Sequence, residues 1–268
     1  MKINKRDLIL DYIIEAYLDE NAPIGSVDLG LRMDGLIPAS TIRVYFKKLS
    51  DEGALKQLHV SGGRMPTFST MKNYWEKKLV NLGKVFVINE QILDKISDKF
   101  KIYCMIFSSD NEILNEVINY RDRFIILCFS KSEIVLKFDY RVYVLLLNLV
   151  GTELKDLERI SIQVGLSELR IKLKELKRSK IKFMANEVVA YEIFEDERFK
   201  MLFEPSITAN FSKNLLFSPP FEPGFMGVKR EVLFENHEAT MFCAGSVYED
   251  YEKFFNIIGM EAAWVKMS

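Results

Sequence analysis

The sequence predicts an α+β protein in two parts, residues 1–80 and residues 81–268. Three observations point there. Apolar residues recur at helical spacing over residues 5–51, and a glycine-rich turn follows. Beyond residue 100 the pattern changes to short, nearly continuous apolar runs separated by polar breaks. The positive charge is also concentrated. The chain carries 37 Lys/Arg against 38 Asp/Glu, yet residues 40–80 carry 8 against 3, net +5, while residues 1–39 and 81–268 are each net −3. A local excess of this kind is the electrostatic footprint of a surface that meets phosphate.

The elements follow in order. KRDLILDYIIEAYLDE (5–20) places Leu8, Ile9, Tyr12, Ile13, Ala16 and Tyr17 on one side and predicts an amphipathic helix. Asn21 to Gly25 break it. Ser26 can cap a short helix over 27–33 with Val27, Leu29, Leu31 and Met33 as its apolar members, and Asp34–Gly35 form the next turn. A third helix runs through ASTIRVYFKKLSDEG, with Ile42, Phe46 and Leu49 inward and Gly53 at its end. Thr41, Arg43, Tyr45, Lys47 and Lys48 are left outward. This is the layout of a helix-turn-helix, whose last helix enters a major groove. A small three-helix bundle that binds nothing has the same layout.

The segment that follows decides between them. ALKQLHVSGGRMPTFS predicts a short strand over 55–60, a tight turn with positive φ at Ser61, Gly62 and Gly63, and Arg64 leaving its tip. A hairpin wing directly after a helix-turn-helix favours DNA, because an Arg there reaches phosphate or the minor groove. KNYWEKKL (72–79) predicts a helix leading to the second part.

In the second part the runs predict a helix over 89–99, strands at 102–107 and 123–129, and a helix over DNEILNEVI (110–118). EIVLKF (133–138) and VYVLLLNLV (142–150) predict a hairpin around Asp139–Arg141. In LKDLERISIQVGLSELRIKLKELKRSKIKF (154–183) the second half places Leu166, Leu169, Leu173 and Leu176 at helical spacing among lysines and reads as an amphipathic helix with its basic face in water, in preference to a dimer-facing or membrane-surface helix. The stretch 205–229 reads as an irregular, proline-broken loop. Two late strands, EVLFEN and ATMFCAG, precede a closing helix, DYEKFFNIIGM.

Several classes are disfavoured. No G-x-G-x-x-G, Walker loop or nucleophile elbow occurs, so no enzyme and no cofactor is expected. His59 and His237 are the only histidines, and no C-x-x-C is present, so no zinc ligand set is expected. Cys104, Cys128 and Cys243 lie far apart in apolar runs, as expected of buried thiols in a reducing compartment. The opening residues do not form a signal peptide, and no run is long enough for a membrane span, so a cytoplasmic protein is expected.

Three stretches carry a family resemblance: P-I-G-S at 23–26, S-T-I-R at 40–43 and H-V-S-G-G-R-M-P-T at 59–67. In order and spacing they resemble the heat-inducible transcription repressor family, HrcA, which has Pro-Val-Gly-Ser, Ala-Thr-Ile-Arg and His-Thr-Ser-Ala-Gly-Arg-Ile-Pro-Thr there. The sequence departs from the pattern at Ile37–Pro38, where the family has Ser or Ser-Pro, and at Ser40, Val44 and Tyr45. The resemblance implies a winged helix-turn-helix followed by a GAF-like sensing and dimerisation domain. It implies a homodimer on double-stranded DNA, an inverted-repeat operator before chaperone genes, released by heat or stress. The chaperonin GroEL is an implied partner. The residues expected at DNA are Ser40, Thr41, Arg43, Tyr45, Lys47, Lys48, His59, Ser61, Gly63 and Arg64. Two other functions stay open: a regulator whose second domain binds a metabolite, and an interaction module that contacts protein instead of DNA.

Overall fold

The computed structural model of the chain describes residues 4–59, 62–79, 86–88, 90–108, 112–211 and 213–265. The first part, the head, runs α1 (Lys5–Glu20), α2 (Ser26–Arg32), α3 (Ala39–Asp51), β1 (Leu55–Lys56), β2 (Met65–Pro66) and α4 (Phe68–Lys78). α1 forms where the periodicity placed it. Asn4 caps its start by accepting from the Arg6 amide, and Asn21 ends it at φ 51°. Its buried residues divide between two neighbours. Ile9, Ile13, Ala16 and Tyr17 join α2 and α3 in the head core, whereas Ile14 points to α4 and the body.

Two local expectations fail in α2. Gly25, not Ser26, holds the cap position, and the Ser26 hydroxyl accepts from Arg43 Nε at 3.0 Å instead. Val27 and Leu31 are exposed, because this seven-residue helix buries only Leu29 and Gly30. α3 buries Ile42, Phe46 and Leu49 as their spacing requires. Pro38 precedes it and offers no side-chain cap, the structural consequence of the departure at Ile37–Pro38.

The hairpin is shorter than the sequence suggests, pairing only Leu55 with Pro66 and Lys56 with Met65. Val60 and Ser61 lie outside the described residues. Gly63 does not have the positive φ expected of it. Gly63 is needed for space instead. A Cβ there would lie 2.5 Å from the Ile24 carbonyl oxygen and 2.6 Å from that of Pro23. That closeness lets Ile24 and Arg64 exchange two backbone hydrogen bonds, of 2.8 and 2.9 Å, so the α1–α2 connection adds a third rung to the hairpin.

The body runs β3 (Phe86–Ile88), α5 (Glu90–Lys99), β4 (Tyr103–Ser108), β5 (Leu114–Tyr120), β6 (Phe124–Phe129), β7 (Glu133–Lys137), α6 (Tyr140–Leu147), α7 (Leu154–Gln163), α8 (Ser167–Arg178), β8 (Ile181–Ala185), α9 (Glu187–Ile193), two 3₁₀ segments (Glu197–Phe203 and Pro205–Asn210), β9 (Leu215–Leu216), β10 (Phe225–Phe234), β11 (His237–Ser246) and α10 (Tyr251–Val265). The central sheet has the order β3-β10-β11-β4-β8, with β9 also on β10. β3 pairs parallel with β10, and the other neighbours are antiparallel. One sheet face packs on α4, α5 and α10. The other packs on α9 and both 3₁₀ segments. The chain is therefore a mixed α+β fold. The stretch 205–229 is more ordered than a plain loop, since it buries Ile207, Phe217 and Phe221 and already contains the start of β10.

Between β4 and β8 the chain builds a separate unit with its own core: the antiparallel sheet β5-β6-β7 covered by α6, α7 and α8. Two expectations are corrected here. The helix over 110–118 is strand β5 from Leu114 onward, and Asp110 and Asn111 lie outside the described residues. Leu114 and Val117 imitate helical spacing, but a three-residue connection over Arg121–Arg123, with φ 55° at Arg121 and 53° at Asp122, pairs β5 with β6. The run 142–150 lies largely in α6 and is not a strand, because the Asp139 carboxylate accepts from the amides of Arg141 and Val142 and nucleates a helix. The helix expected in the second half of 154–183 forms as α8, with α7 before it across a break at Val164–Gly165, where Gly165 has φ 73°, and β8 after it.

The inserted unit meets the central sheet through a buried ion pair, Lys180 Nζ to Glu112 Oε1 at 2.9 Å, with the Ser132 hydroxyl also donating to Glu112. Burial alone pushes the Glu112 carboxyl up, but the bonds from Ser132 and Lys180 outweigh it and hold the group below its ordinary value. A carboxylate with a lowered folded pKa adds stability above its unfolded value, and that stability is lost as pH falls through the folded one.

Two outcomes follow. Gly63→Ala should cost about 1–3 kcal/mol in a denaturant titration, the usual range for forcing an atom into filled space, and an unchanged midpoint would contradict the close approach. Unfolding free energy should drop as pH falls below the ordinary carboxylate range, and Glu112→Gln should flatten that acid limb while lowering stability at neutral pH.

Candidate nucleic-acid interface

The outer face of α3 is set by its buried one. With Ile42, Phe46 and Leu49 inward, Ser40, Val44, Lys47, Lys48 and Asp51 fall opposite, and Arg43 sits at the edge. All six are exposed. Arg43, Lys47 and Lys48 make no ion pair among the described residues, so their charge is directed to solvent. Arg43 is oriented by its bond to Ser26, which ties the face to the first turn of α2.

Thr41 and Tyr45 are placed differently from expectation. They lie one turn apart on the flank of α3, both half-buried, and Tyr45 leans on the head core. Val44 was missed, although it stands 67% exposed at the centre of the outer face. The signal was present in its i+4 spacing from Ser40, but an apolar residue does not register as a polar-face member. Ser26 was read as a cap and is instead the partner of Arg43.

In the hairpin, His59 is exposed and its carbonyl accepts from the Gly62 amide at 2.9 Å. Ser61 lies outside the described residues. Arg64 is not at the tip. It stands at the root, half-buried, with Nε donating to Ser50 Oγ at 3.2 Å, because its backbone is held against Ile24. Arg64 thus links the hairpin to the end of α3.

The net +5 window does not form one patch. Lys78 pairs with Glu252 at 3.4 Å, Lys72 stands over the Phe217 ring at 5.3 Å, and Lys56 lies 6.0 Å from the Tyr248 ring centre. These cations serve the junction between head and body, since α4 turns back onto the central sheet. The α3 cations are left as the outward-facing group. Among the described residues no cluster of three His, Cys, Asp or Glu could hold a metal ion. No helix is long and apolar enough to cross a membrane.

Comparison with known proteins agrees with the family motifs. A family model described as the HrcA C-terminal domain matches residues 75–263. A heat-inducible transcription repressor HrcA from Helicobacter pylori strain J99 is 32% identical over 260 residues, covering 97% of this chain and 96% of the relative. Its counterpart from strain 26695 is also 32% identical over 260 residues. The HrcA of Chlamydia pneumoniae is 42% identical over 77 residues, 27% of this chain and 19% of that protein. A solved structure described as a hypothetical protein covers 97% of both chains at 16% identity with a TM-score of 0.48. With the family model matching most of its length and full-length relatives aligned nearly end to end, the chain belongs to the HrcA family of heat-inducible transcription repressors.

Proposed function

We propose that the head is a winged helix-turn-helix that places α3 in the major groove of an inverted-repeat operator, with the β1–β2 hairpin as wing. The observation that carries this is the outer face of α3: three cations without ion pairs among the described residues, around an exposed Val44. Arg43, Lys47 and Lys48 suit phosphate or guanine edges, and Val44 suits a thymine methyl group. Ser40 lies beside them. Thr41 and Tyr45 support α3 from its flank. His59, Ser61 and Gly63 bring the wing backbone to the duplex, and Arg64 braces the wing against α3.

The body, residues 81–268, acts in this proposal as a GAF-like regulatory and dimerisation part without enzymatic activity. An inverted repeat asks for a two-fold protein. A homodimer is supported by apolar surface on the inserted unit. Tyr140, Val144 and Leu147 are exposed along one face of α6, and Val135 is exposed on β7. The repressed genes are chaperone genes in a cytoplasmic setting, with release by heat or stress and GroEL as the chaperonin partner. These features come to the chain from the family.

Mapping protected DNA across the genome at two temperatures identifies the operator, and two affinity measurements then test the interface. With six α3 cations per dimer at the duplex, affinity should fall about 10³-fold between roughly 50 and 200 mM salt. Lys47→Ala removes two cations per dimer and should weaken operator and random duplex alike and lower the salt slope by about 2. Val44→Ala should weaken the operator while sparing random duplex, because a methyl contact carries sequence information and a phosphate contact does not. A flat salt response, or variants that leave both affinities unchanged, contradicts the assignment of α3.

A further inference from the structure

Cys104 and Cys243 are 139 residues apart in sequence and face each other across the centre of the sheet. They are register partners in the antiparallel pair β4–β11. Their Sγ atoms are 3.3 Å apart, and both residues are fully buried. Opposed residues in an antiparallel ladder have Cα atoms about 4.5 or 5.5 Å apart. A disulfide accepts Cα separations of about 4.4–6.8 Å. The ladder therefore already holds the backbone at a bonding distance, and only the sulfurs need to approach.

The surroundings are more polar than the rest of that core. Arg230, on neighbouring β10, is buried with its guanidinium 4.8 Å from the Phe255 ring centre, and its charge acts on the Cys243 sulfur. Burial pushes the Cys243 thiol up, and Arg230 opposes that shift. The Tyr251 hydroxyl, buried close to both thiols, has no hydrogen-bond partner among the described residues. The third cysteine, Cys128, is elsewhere, between Glu116 and Glu133 in the inserted sheet.

We propose that Cys104 and Cys243 form a reversible modification site, a dithiol that hydrogen peroxide converts to a cross-strand disulfide. In the first step one thiol gives up its proton and the thiolate attacks a peroxide oxygen; the O–O bond breaks, a sulfenic acid forms, and the leaving hydroxide takes up that proton as water. In the second the other thiol attacks the sulfenic sulfur, the S–O bond breaks, and a second water leaves. The two sulfurs lose two electrons in total, and one peroxide becomes two waters. Thiol reductants reverse the change.

Burial gives the site its condition. Peroxide meets a thiolate only when the face covered by α5 and α10 opens, so oxidation rises with the population of the opened body. Once formed, the bond ties β4 to β11 and closes a long stretch of chain, which removes much of the freedom of the unfolded state. β11 leads directly to Val247 and Tyr248, the residues that hold the head. Peroxide met during heating would thus lock the body against further opening. The consequence for DNA, retention to higher temperature, rests on the function proposed above.

The test uses the full chain carrying Cys128→Ser, reduced and then treated with hydrogen peroxide at a resting and a raised temperature. Intact mass should fall by two hydrogens, and alkylation after denaturation should find no free thiol, faster at the raised temperature. The melting temperature should rise by about 5–15 °C, the range for a long closed loop in a domain of this size, and dithiothreitol should restore it. Cys104→Ala or Cys243→Ala, added separately so that one may fail to fold, should abolish the change. Thiols that stay free up to melting, oxidation ending in sulfinic acid or cross-linked dimers, or a disulfide that leaves the melting temperature unmoved would each overturn the proposal. A reduced chain that binds no operator overturns the DNA-binding function and leaves the mass and thiol measurements standing.

Discussion

The arrangement of head on body depends on one buried contact. Trp75 Nε1 donates to the Val247 carbonyl at 2.7 Å, and the indole is wholly buried between the head and the central sheet. An indole N–H left without an acceptor in such a place costs roughly 1–3 kcal/mol, so the ring has one favourable position. Tyr248, the next residue along, donates its hydroxyl to the Pro66 carbonyl and packs edge-on against Tyr17. Two consecutive residues after β11 thus hold the base of the hairpin and the last turns of α1. Any change in the end of β11 is passed to the head without an intervening linker.

From that anchor α3 and the hairpin are positioned in sequence. α4 is capped by Thr67, whose hydroxyl also donates to the Gly53 carbonyl, while Thr70 donates to Ala54. These bonds fix the strand that leaves α3 against the helix that enters the body. Gly63 lets the hairpin close on Ile24, and Arg64 joins the hairpin to Ser50 at the end of α3. Hairpin, α3 and body therefore form a chain of direct contacts. In the dimer proposed above the two heads need a fixed spacing, and loss of the body's order is sufficient to lose it.

The inserted unit answers to a different constraint. Its core is separate from the sheet it interrupts, and charged groups mediate its junction: Lys180 on Glu112, and Glu204 between Lys174 and Arg178. The unit also exposes apolar surface along α6, which a partner copy can cover.

By itself the sequence determined the head. α1 and α3, the inward set Ile42, Phe46 and Leu49, and the basic residues of α3 follow from periodicity, and the three family motifs add the wing. These are local properties, written in residues a few positions apart. The body's outer strands and closing helix were legible for the same reason. Tertiary structure decided the rest. Leu114 and Val117 fit a helix until the Arg121–Arg123 connection supplies a strand to pair with. Val142 to Val150 fit a strand until the Asp139 cap is counted as the stronger local signal. Arg64 left the expected tip because Gly63 allows the backbone to close on Ile24, forty residues earlier. The basic window divided because α4 folds back to place Trp75 under Val247. Cys104 and Cys243, unremarkable in sequence, become neighbours only through the β4–β11 register. Pairing across more than a hundred residues depends on which strand is adjacent, and no local spacing records that.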